Sequence, residues 1–522
     1  INSFVQAGLD VRWDNLVKSH ELYCIGHLIQ AGIAHKRSTG DTGLFDVAVK
    51  AADVVVADFG NGRRSDTDGH EEIEMALVEL YRETGDRDYL DLAQQLVDVR
   101  GHRTLDTTNF GDSPYYQDAT PVRDETTVVG HAVRAIYLLA GVVDLAIETG
   151  EDALLQAALT QWESMTATKT YLNGAVGSRF IGEAFGDSYE LPPDLAYGET
   201  CATIGNIMVS WRLLLLTGES RFADAIERAL YNLFAASTST ERTGFFYNNP
   251  AQRRTALEPA SVDSRPDRAD APGTRPVWFE CACCPPNIMR TIASLAAYVT
   301  TTTADALQVH QFLPASVQAD LSAGPVRVQI DTRYPLDGVV EVTVLEAPGA
   351  EWAIEFRVPD WAGHAELAVN GLPAASRTDD RGYVRVSRVW VPGDTITYTI
   401  PVEARLTVAH PAVDAVRGAV AIERGPVVYA FESVDQQAGV DLNHVELLRD
   451  AELVEEIREE FLGQPSVLVS ARGRARRDAD WEGTGWKRLE DAPPSDGDEV
   501  ELRAIPYALW ANRGPSVMRI FV

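Results

Sequence analysis

The stretch FECACCPPNIMR (Phe279–Arg290) holds three of the chain's five cysteines. Cys281, Cys283 and Cys284 are followed directly by two prolines. Such a cluster can be a metal site, a disulfide or redox centre, or a set of buried side chains without a role. A disulfide between adjacent cysteines requires a strained ring, and an odd number of cysteines suits a disulfide framework poorly.

A metal site fits the cluster better. Zinc takes four ligands from Cys, His and carboxylate groups, and a stiff turn at Pro285-Pro286 would let neighbouring thiolates reach one ion. Glu199 and Cys201 are the expected further ligands, because a two-residue offset places both side chains on one side of an extended segment. Glu199, Cys201, Cys283 and Cys284 therefore form a candidate Zn²⁺ site. A closed, purely structural zinc site is an equal alternative on spacing alone.

Catalysis at such a site requires a nucleophile and a proton donor. Zinc and nearby hydrogen-bond donors lower the pKa of a thiol, which makes one cysteine a candidate nucleophile. Glu183, in SRFIGEAFGDSYELPPD, is the candidate carboxyl group, because burial in this loop would raise its pKa. Asp187 and Glu190 are close rivals, and a solvated loop glutamate is the alternative interpretation of Glu183.

Helices are expected to position these groups. From about Trp13 to about Thr300 the apolar residues recur every three or four positions, as they do in Asp124–Gly150. Four times a Thr-Gly pair is followed by an acid, at Thr39-Gly40-Asp41, Thr84-Gly85-Asp86, Thr149-Gly150-Glu151 and Thr217-Gly218-Glu219. Glycine suits the left-handed end of a helix, and the acid suits the first turn of the next. The pattern predicts repeated helical hairpins in an open solenoid or a closed α/α toroid.

Histidines recur before these Thr-Gly pairs. Gly26-His27, Gly69-His70 and Gly130-His131 precede the first three, and Glu199-Thr200-Cys201 holds the same place before the fourth. In a ring of parallel inner helices, three imidazoles and a Glu/Cys pair would meet at one mouth of the barrel. Chance is the alternative, because Gly101-His102 falls outside the pattern.

The second half of the chain shows the period of β-strands. After about residue 304 apolar and polar residues alternate, and Asp337-Gly338 and Asn370-Gly371 are predicted hairpin turns. This region is predicted to form one β-sandwich or two. A loop rich in charge, proline and alanine, Arg253–Pro276, precedes the cysteine cluster.

The composition limits the classes of function. A chain of 522 residues exceeds a single core of roughly 250 to 300 residues, so two or more domains are expected. The net charge of −31 argues against nucleic acid and anionic membranes as partners. No apolar run approaches the ~20 residues that span a bilayer. Free thiolates fit a reducing compartment, so the cytoplasm is the expected location. Secretion stays open, because the sequence begins Ile1-Asn2-Ser3 without a methionine.

Five segments resemble glycoside hydrolase family 127, the β-L-arabinofuranosidases: ELYCIGHLIQAGIAH, PVRDETTVVGHAVRAIYL, AYGETCATIGNIM, CACCPPNIMR and IPYALWANRGP. The resemblance extends from Trp13 to Val522. It implies an (α/α)6 barrel over residues 1–303 followed by β-sandwich domains over residues 304–522. The family carries a further segment before HELYCIGHL, and only about nine or ten helices can be counted here. The sequence is therefore expected to lack the first part of the barrel.

The resemblance also implies roles for the site residues. In the family a zinc-held cysteine attacks the anomeric carbon, and a glutamate protonates the departing oxygen and later activates water. By motif match Cys283 is the nucleophile, and Glu183 is the acid/base. Glu199, Cys201 and Cys284 complete the zinc shell.

Other residues match positions of the family that contact the sugar. These are His27, His70, His131 and Tyr247, of which His70 lies in a loop that matches the family poorly. Cys281 has no assigned role.

The implied function is that of a zinc-dependent retaining exo-glycosidase acting on terminal β-L-arabinofuranose of a small oligosaccharide or glycoside. One alternative is the same machinery acting on another rare sugar. A second is a non-catalytic carbohydrate-binding protein with a structural zinc, which the presence of both Glu183 and Cys283 counts against. Neither nucleic acid nor a membrane is expected as a partner, and a homodimer is left open.

Overall fold

The computed structural model describes residues 2–107, 111–259, 273–476, 484–491 and 497–522. The chain forms two compact units. Unit 1 comprises Ile1–Thr170 and Val176–Glu190, and unit 2 comprises Tyr171–Ala175 and Leu191–Val522. The predicted loop Arg253–Pro276 lies largely outside the described residues.

Unit 1 is helical. Its helices are α1 (Ser3–Gln6), α2 (Leu16–Ser19), α3 (Glu21–Thr39), α4 (Gly43–Phe59), α5 (Ile73–Thr84), α6 (Arg87–Val99), α7 (Ala132–Thr149) and α8 (Asp152–Thr168). The apolar stripe predicted in Asp124–Gly150 is buried, as Ile136, Leu139 and Val143 show. The helix itself is shorter than that segment, because His131 caps its N-terminus and the preceding residues form a loop.

The Thr-Gly-acid repeat forms one local structure four times. The helices α3, α5 and α7, and α9 (Thr200–Thr217) in unit 2, each end at the threonine, and the glycine that follows is left-handed. Each threonine hydroxyl donates to the carbonyl four residues earlier and accepts from the backbone N–H of the acid. The next helix then starts within a few residues. The predicted helical hairpins are thus confirmed.

Unit 2 contains helices and β-sheets. Its helices are α9, α10 (Ser220–Ala229) and α11 (Cys284–Ser294), and a π-helical turn, Leu230–Phe234, continues α10. Among the described helices, α9 alone is long and apolar enough to cross a membrane by length and composition. Its hydropathy is that of a core helix, since 78% of that stretch is buried inside the protein.

The strands of unit 2 follow α9 to α11 almost without exception. They are β1 (Gln252–Arg253), β2 (Thr300–Thr302), β3 (Ala306–Val309), β4 (Ala315–Leu321), β5 (Gly324–Thr332), β6 (Val339–Glu346), β7 (Glu351–Arg357), β8 (Glu366–Val369), β9 (Leu372–Ala374), β10 (Tyr383–Val389), β11 (Thr395–Thr399), β12 (Ala404–Val408), β13 (Val420–Arg424), β14 (Val427–Glu432), β15 (Val445–Leu447), β16 (Val454–Phe461), β17 (Gln464–Ala475), β18 (Asp498–Pro506) and β19 (Met518–Arg519).

Within the described residues these strands form three sheets. One has the order β10-β7-β3-β2 and a second the order β4-β5-β6-β11-β8-β9. Both contribute side chains to one core, in which Phe356 of the first sheet stacks on Tyr398 of the second with ring centres 4.8 Å apart. The third sheet contains β1 and β12 to β19 around a core of its own. The first two sheets are therefore a sandwich.

The two predicted hairpin turns differ in form. Asn370 and Gly371 both have positive φ and directly join β8 to β9, which is the two-residue turn expected. Asp337-Gly338 instead closes a longer loop between β5 and β6, in which the Asp337 carboxylate accepts from the backbone N–H of Val339. The extra residues in that loop exclude a two-residue turn there.

Candidate active site

The predicted metal ligands lie at the N-termini of two helices in unit 2. Glu199 is the N-cap of α9 and Cys201 is its second residue. Cys283 is the N-cap of α11 and Cys284 its first residue. Helix N-termini stabilise anions, so both helices favour the thiolate and carboxylate forms of these ligands.

The two prolines after the cysteines act differently from the expectation. Pro285 and Pro286 do not form a separate turn, but lie in the first turn of α11. Proline is tolerated there because a residue in the first turn needs no N–H for the helix. The prolines therefore start the helix on which Cys283 and Cys284 are held.

The donor atoms of the four residues converge. The Sγ atoms of Cys201 and Cys284 are 3.6 Å apart, and those of Cys283 and Cys284 are 3.8 Å apart. The Sγ of Cys283 lies 3.9 Å from Oε1 of Glu199. All four ligand atoms lie within 4.8 Å of one another.

This geometry fits a metal ion and excludes a disulfide. All five cysteines are free thiols. A tetrahedral zinc ion with Zn–S bonds of about 2.3 Å places its sulfur ligands about 3.8 Å apart, close to the observed separations. Three sulfurs and one carboxylate oxygen complete a four-coordinate set. The buried Glu/Cys cluster can therefore hold a metal ion.

Burial distinguishes the ligands from one another. Glu199, Cys201 and Cys284 are buried, whereas Cys283 is partly exposed. Burial raises the pKa of the Cys284 thiol. Hydrogen bonds with Cys283 and Cys284 lower the pKa of Cys201 to about 6. Cys283 is therefore the one residue of these four that is partly open to solvent.

A neighbouring segment of unit 2 holds Glu199 and brings Tyr247 to it. The backbone N–H of Thr200 donates to the carbonyl of Tyr247 at 3.0 Å, and Glu199 forms a β-bridge with Asn248. The buried Asn249 amide donates to the Gly198 carbonyl and the Thr200 hydroxyl, each at 3.0 Å. Asn249 was not predicted from the sequence, in which the run YNNP beside Tyr247 is its only signal.

The three predicted histidines lie together in unit 1. The ring centres of His70 and His131 are 5.8 Å apart. Tyr23 links the other pair, with its ring centre 4.4 Å from those of both His27 and His70. His20 also contacts His70, at 5.7 Å between ring centres, and was not predicted. A row of imidazole and phenol rings results.

Glu183 is bound to the end of this row. Its Oε2 lies 3.0 Å from Nε2 of His131, and both side chains are more than nine-tenths buried. The backbone N–H of Arg134 points at Nδ1 of His131 at 3.5 Å, so Nδ1 accepts and Nε2–H donates to Glu183. Glu183 has a φ of 50°, a strained backbone conformation for a residue with a side chain that is frequent at functional sites.

The loop around Glu183 is anchored on the N-terminus of α7. The Glu183 carbonyl accepts from the backbone N–H of Ala132 at 3.0 Å, and the N–H of Phe185 donates to Gly130 at 2.9 Å. Gly130 has a φ of 70°, and a Cβ there would lie 2.1 Å from the Pro114 carbonyl oxygen. Glycine is therefore required before His131.

The two rival carboxyl groups have other surroundings. Asp187 is almost fully exposed, and Glu190 is paired with Arg179. That pairing lowers the pKa of Glu190, which suits neither a proton donor nor a buried base. Among the three candidates, the structure places only Glu183 next to a histidine of the row.

Family models and a curated relative match nearly the whole chain. Family models described as the catalytic, middle and C-terminal domains of glycoside hydrolase family 127 β-L-arabinofuranosidases match residues 2–297, 306–402 and 404–522. The non-reducing end β-L-arabinofuranosidase of Bifidobacterium longum subsp. longum is 35% identical to this chain, over 98% of the chain and 79% of its own length.

Solved structures show the same likeness. A family 127 β-L-arabinofuranosidase from Geobacillus stearothermophilus T6 has a TM-score of 0.90 and 36% identity, over 98% of this chain and 81% of that one. A second family 127 β-arabinofuranosidase has a TM-score of 0.86 and 31% identity, over 99% of this chain and 78% of its own. The predicted fold class, a helical barrel domain followed by β-sheet domains, is confirmed. The chain belongs to glycoside hydrolase family 127, the β-L-arabinofuranosidase family, and is a glycoside hydrolase.

Proposed function

We propose that this protein is a zinc-dependent retaining exo-glycosidase that removes terminal β-L-arabinofuranosyl residues. The observation that carries the proposal is the set of three sulfurs and one carboxylate in which a single residue, Cys283, is partly exposed. A purely structural zinc site has no need of an exposed ligand. The sugar is inferred from the relatives named above, which are β-L-arabinofuranosidases.

The residues that would hold Zn²⁺ are Glu199, Cys201, Cys283 and Cys284. A thiolate-rich set selects zinc over magnesium or calcium, which prefer oxygen ligands. When bound, zinc would keep the Cys283 sulfur deprotonated and stabilise that sulfur as a leaving group.

The first half of the reaction uses a nucleophile, Cys283, and a proton donor, Glu183. The Cys283 sulfur donates an electron pair to the anomeric carbon and forms a carbon–sulfur bond as the glycosidic carbon–oxygen bond breaks. Glu183 gives its proton to the departing oxygen, which leaves as an alcohol. The bond between His131 and Oε2 of Glu183 leaves Oε1 to carry that proton.

The second half returns both residues to their starting state. The Glu183 carboxylate takes a proton from water, the water oxygen bonds to the anomeric carbon, and the carbon–sulfur bond breaks to release the thiolate. Two displacements at one carbon retain its configuration. Turnover therefore requires Glu183 to lose and regain its proton, and the Cys283 sulfur to form and break its bond to the anomeric carbon.

The row of rings in unit 1 supplies contacts for sugar hydroxyl groups. Burial lowers the pKa of His70 well below its usual value, so this imidazole is neutral at physiological pH. Its Nδ1 lies 2.8 Å from the Glu71 carbonyl oxygen, so Nδ1 donates and Nε2 accepts. We assign His27, His70, His131 and Tyr247 to recognition of the arabinofuranose ring.

The test is release of p-nitrophenol from its β-L-arabinofuranoside, with the anomer of the first-formed sugar read by NMR. We expect release of the retained anomer, its loss in Cys283→Ala, and its persistence in Cys281→Ser, which removes a thiol from the same stretch. Inversion of configuration would refute the covalent mechanism. Silence on this substrate with turnover of another furanoside or pyranoside would move the proposal to a different rare sugar. Silence of folded, zinc-loaded protein on all of them would favour a binding protein.

A further inference from the structure

Four buried carboxyl groups lie in one short segment of unit 1, TDGHEEIE (Thr67–Glu74). Asp68, Glu71, Glu72 and Glu74 are each at most 1% exposed. A buried carboxylate is costly unless it is paired or hydrogen-bonded. Each of the four must therefore be matched to a specific partner, and the partner indicates what each one does.

For three of these carboxyl groups, the partners explain why the group is buried. Asp68 accepts from the backbone N–H groups of Leu22 and Tyr23 and so caps α3. Glu71 and Glu74 flank the buried guanidinium of Arg100, at 3.0 and 3.7 Å. These contacts tie the segment to helices α3 and α6, and Asp68 also accepts from the backbone N–H of His70.

Glu72 has a different partner. Its Oε1 lies 3.1 Å from Nδ1 of His27, whose side chain is one-third exposed while that of Glu72 is fully buried. The approach depends on Gly26, because a Cβ at that position would lie 2.8 Å from Cγ of Glu72. The Gly-His pair on α3 thus has a physical reason: the glycine admits the carboxylate that the histidine binds.

The contact decides which nitrogen of His27 carries the proton. Two atoms that each offer only a lone pair repel one another at this distance, so an ionised Glu72 requires the proton on Nδ1 of His27. In the neutral ring Nε2 is then the acceptor. Carboxylate partners of this kind fix both the tautomer and the orientation of a functional histidine in many sites.

The other two histidines of the row have their tautomers set by different groups. Nδ1 of His70 is paired with a backbone carbonyl, and Nε2 of His131 is paired with Glu183. On this assignment His27 and His70 present acceptors, whereas His131 presents a donor to the acid/base residue. The row therefore has a defined pattern of donors and acceptors.

We propose that Glu72 is a positioning residue that fixes His27 with Nδ1 protonated and Nε2 ready to accept a hydrogen bond from a sugar hydroxyl. The last part rests on the proposed function, which supplies the sugar. The tautomer and orientation of His27 do not rest on it.

The first experiment reads the tautomer without using activity. Protein labelled with ¹⁵N-histidine is compared with Glu72→Gln and with Glu74→Gln, which neutralises an equally buried carboxyl group two residues away. His27 is assigned by the resonances lost in His27→Gln. We expect a protonated Nδ1 and a bare Nε2 in the wild type and in Glu74→Gln, and a change of tautomer population in Glu72→Gln. A protonated Nε2 in the neutral ring of the wild type would overturn the proposal, whether or not any variant folds.

The second experiment asks whether Glu72 acts through His27. We expect Glu72→Gln to lose on the order of 10-fold or more in kcat/KM, chiefly through a higher KM, as outer-shell carboxylates do elsewhere. In the His27→Ala background the same substitution should change kcat/KM by less than about twofold, because the imidazole through which Glu72 acts is already absent. Glu72→Asp, which keeps the charge on a shorter side chain, should recover part of the loss.

Other outcomes would count against the proposal. Additive losses in the double variant, or a lower kcat with unchanged KM and a lower melting temperature, would mean that Glu72 serves only the fold. If the wild type hydrolyses no β-L-arabinofuranoside, the proposed function fails, while the tautomer measurement still decides the role of Glu72.

Discussion

Nε2 of His131 lies 3.0 Å from Oε2 of Glu183, and neither side chain is more than one-tenth exposed. His131 donates to this carboxylate because its Nδ1 faces the backbone N–H of Arg134 at the start of α7. The helix that carries His131 therefore also sets the orientation of Glu183.

Replacing Glu183 should affect catalysis according to the leaving group. We expect Glu183→Gln to lower kcat/KM by roughly 100- to 10,000-fold on a sugar aglycone, because the departing alkoxide needs a proton. The loss in the first step should be much smaller on p-nitrophenyl glycosides, whose leaving group needs little protonation. Steady-state kinetics on both substrates give the comparison. Glu190→Gln is the matched control, and an equal loss in both variants would rule out the assignment.

Removing the metal should abolish activity and leave most of the fold intact. We expect one zinc per chain by elemental analysis, loss of turnover in a strong chelator and its return when zinc is added. Cys284→Ser should weaken metal retention, since it removes one of four ligands. Far-ultraviolet circular dichroism on the same samples reports the helices. Full turnover by metal-free protein would contradict the proposed role of the Cys283 sulfur.

A buried ionic cluster in unit 2 should make stability depend on pH. Arg357 of β7 is fully buried and is paired with Asp224 and Glu227 of α10. Burial raises the pKa of Asp224 to about 7, against the lowering effect of Arg357, while Asp360 and Glu227 raise it further. The folded state thus binds this proton more tightly than the unfolded state does. Its contribution to stability is complete below about pH 4 and is lost as the pH rises through about 7.

The variant Asp224→Asn isolates that contribution. The unfolding free energy of the wild type should fall relative to that of the variant by up to a few kcal/mol, about 1.4 for each unit of pKa shift, as the pH rises from 5 to 8. Urea denaturation of both proteins at several pH values measures the difference. A difference that stays constant across this range would show that Asp224 does not titrate there.

The charge of the chain predicts stabilisation by salt. The net charge is −31, and only five of the 46 basic residues are lysines. Repulsion among surface carboxylates opposes the compact state, and the screening length falls from about 10 Å at 0.1 M salt to about 3 Å at 1 M. We expect the melting temperature to rise between these concentrations of KCl. Calorimetry in KCl tests this, and a falling melting temperature would mean that attractive ion pairs outweigh the repulsion.

Local features of this fold were accessible from the sequence because their interactions span few residues. The Thr-Gly-acid ends, for example Thr149 to Glu151, are closed by hydrogen bonds within one turn. The turn at Asn370-Gly371 depends only on two residues that tolerate positive φ. The prolines after Cys284 were misjudged, because a turn and the first turn of a helix make the same local demand on proline.

Membership of the candidate metal site was also predictable from residue types, since few chemistries require three sulfurs and a carboxylate. It was harder to predict from the sequence which acidic residue is the candidate acid/base. Glu183, Asp187 and Glu190 have similar neighbours in the sequence, and they differ because only Glu183 is buried against His131. Burial of this kind is decided by packing.

Residue types alone were enough to predict the C-terminal ends of four helices, the period of the strands, the candidate metal ligands and the family. Each of these depends on residues at short range or on whole motifs. The fold was needed to show that Cys283 is the partly exposed member of the cluster, that Glu183 meets His131, and that Glu72 meets His27 beneath Gly26. Those pairs lie far apart in the chain, and their distances follow from how closely two helices or loops can pack.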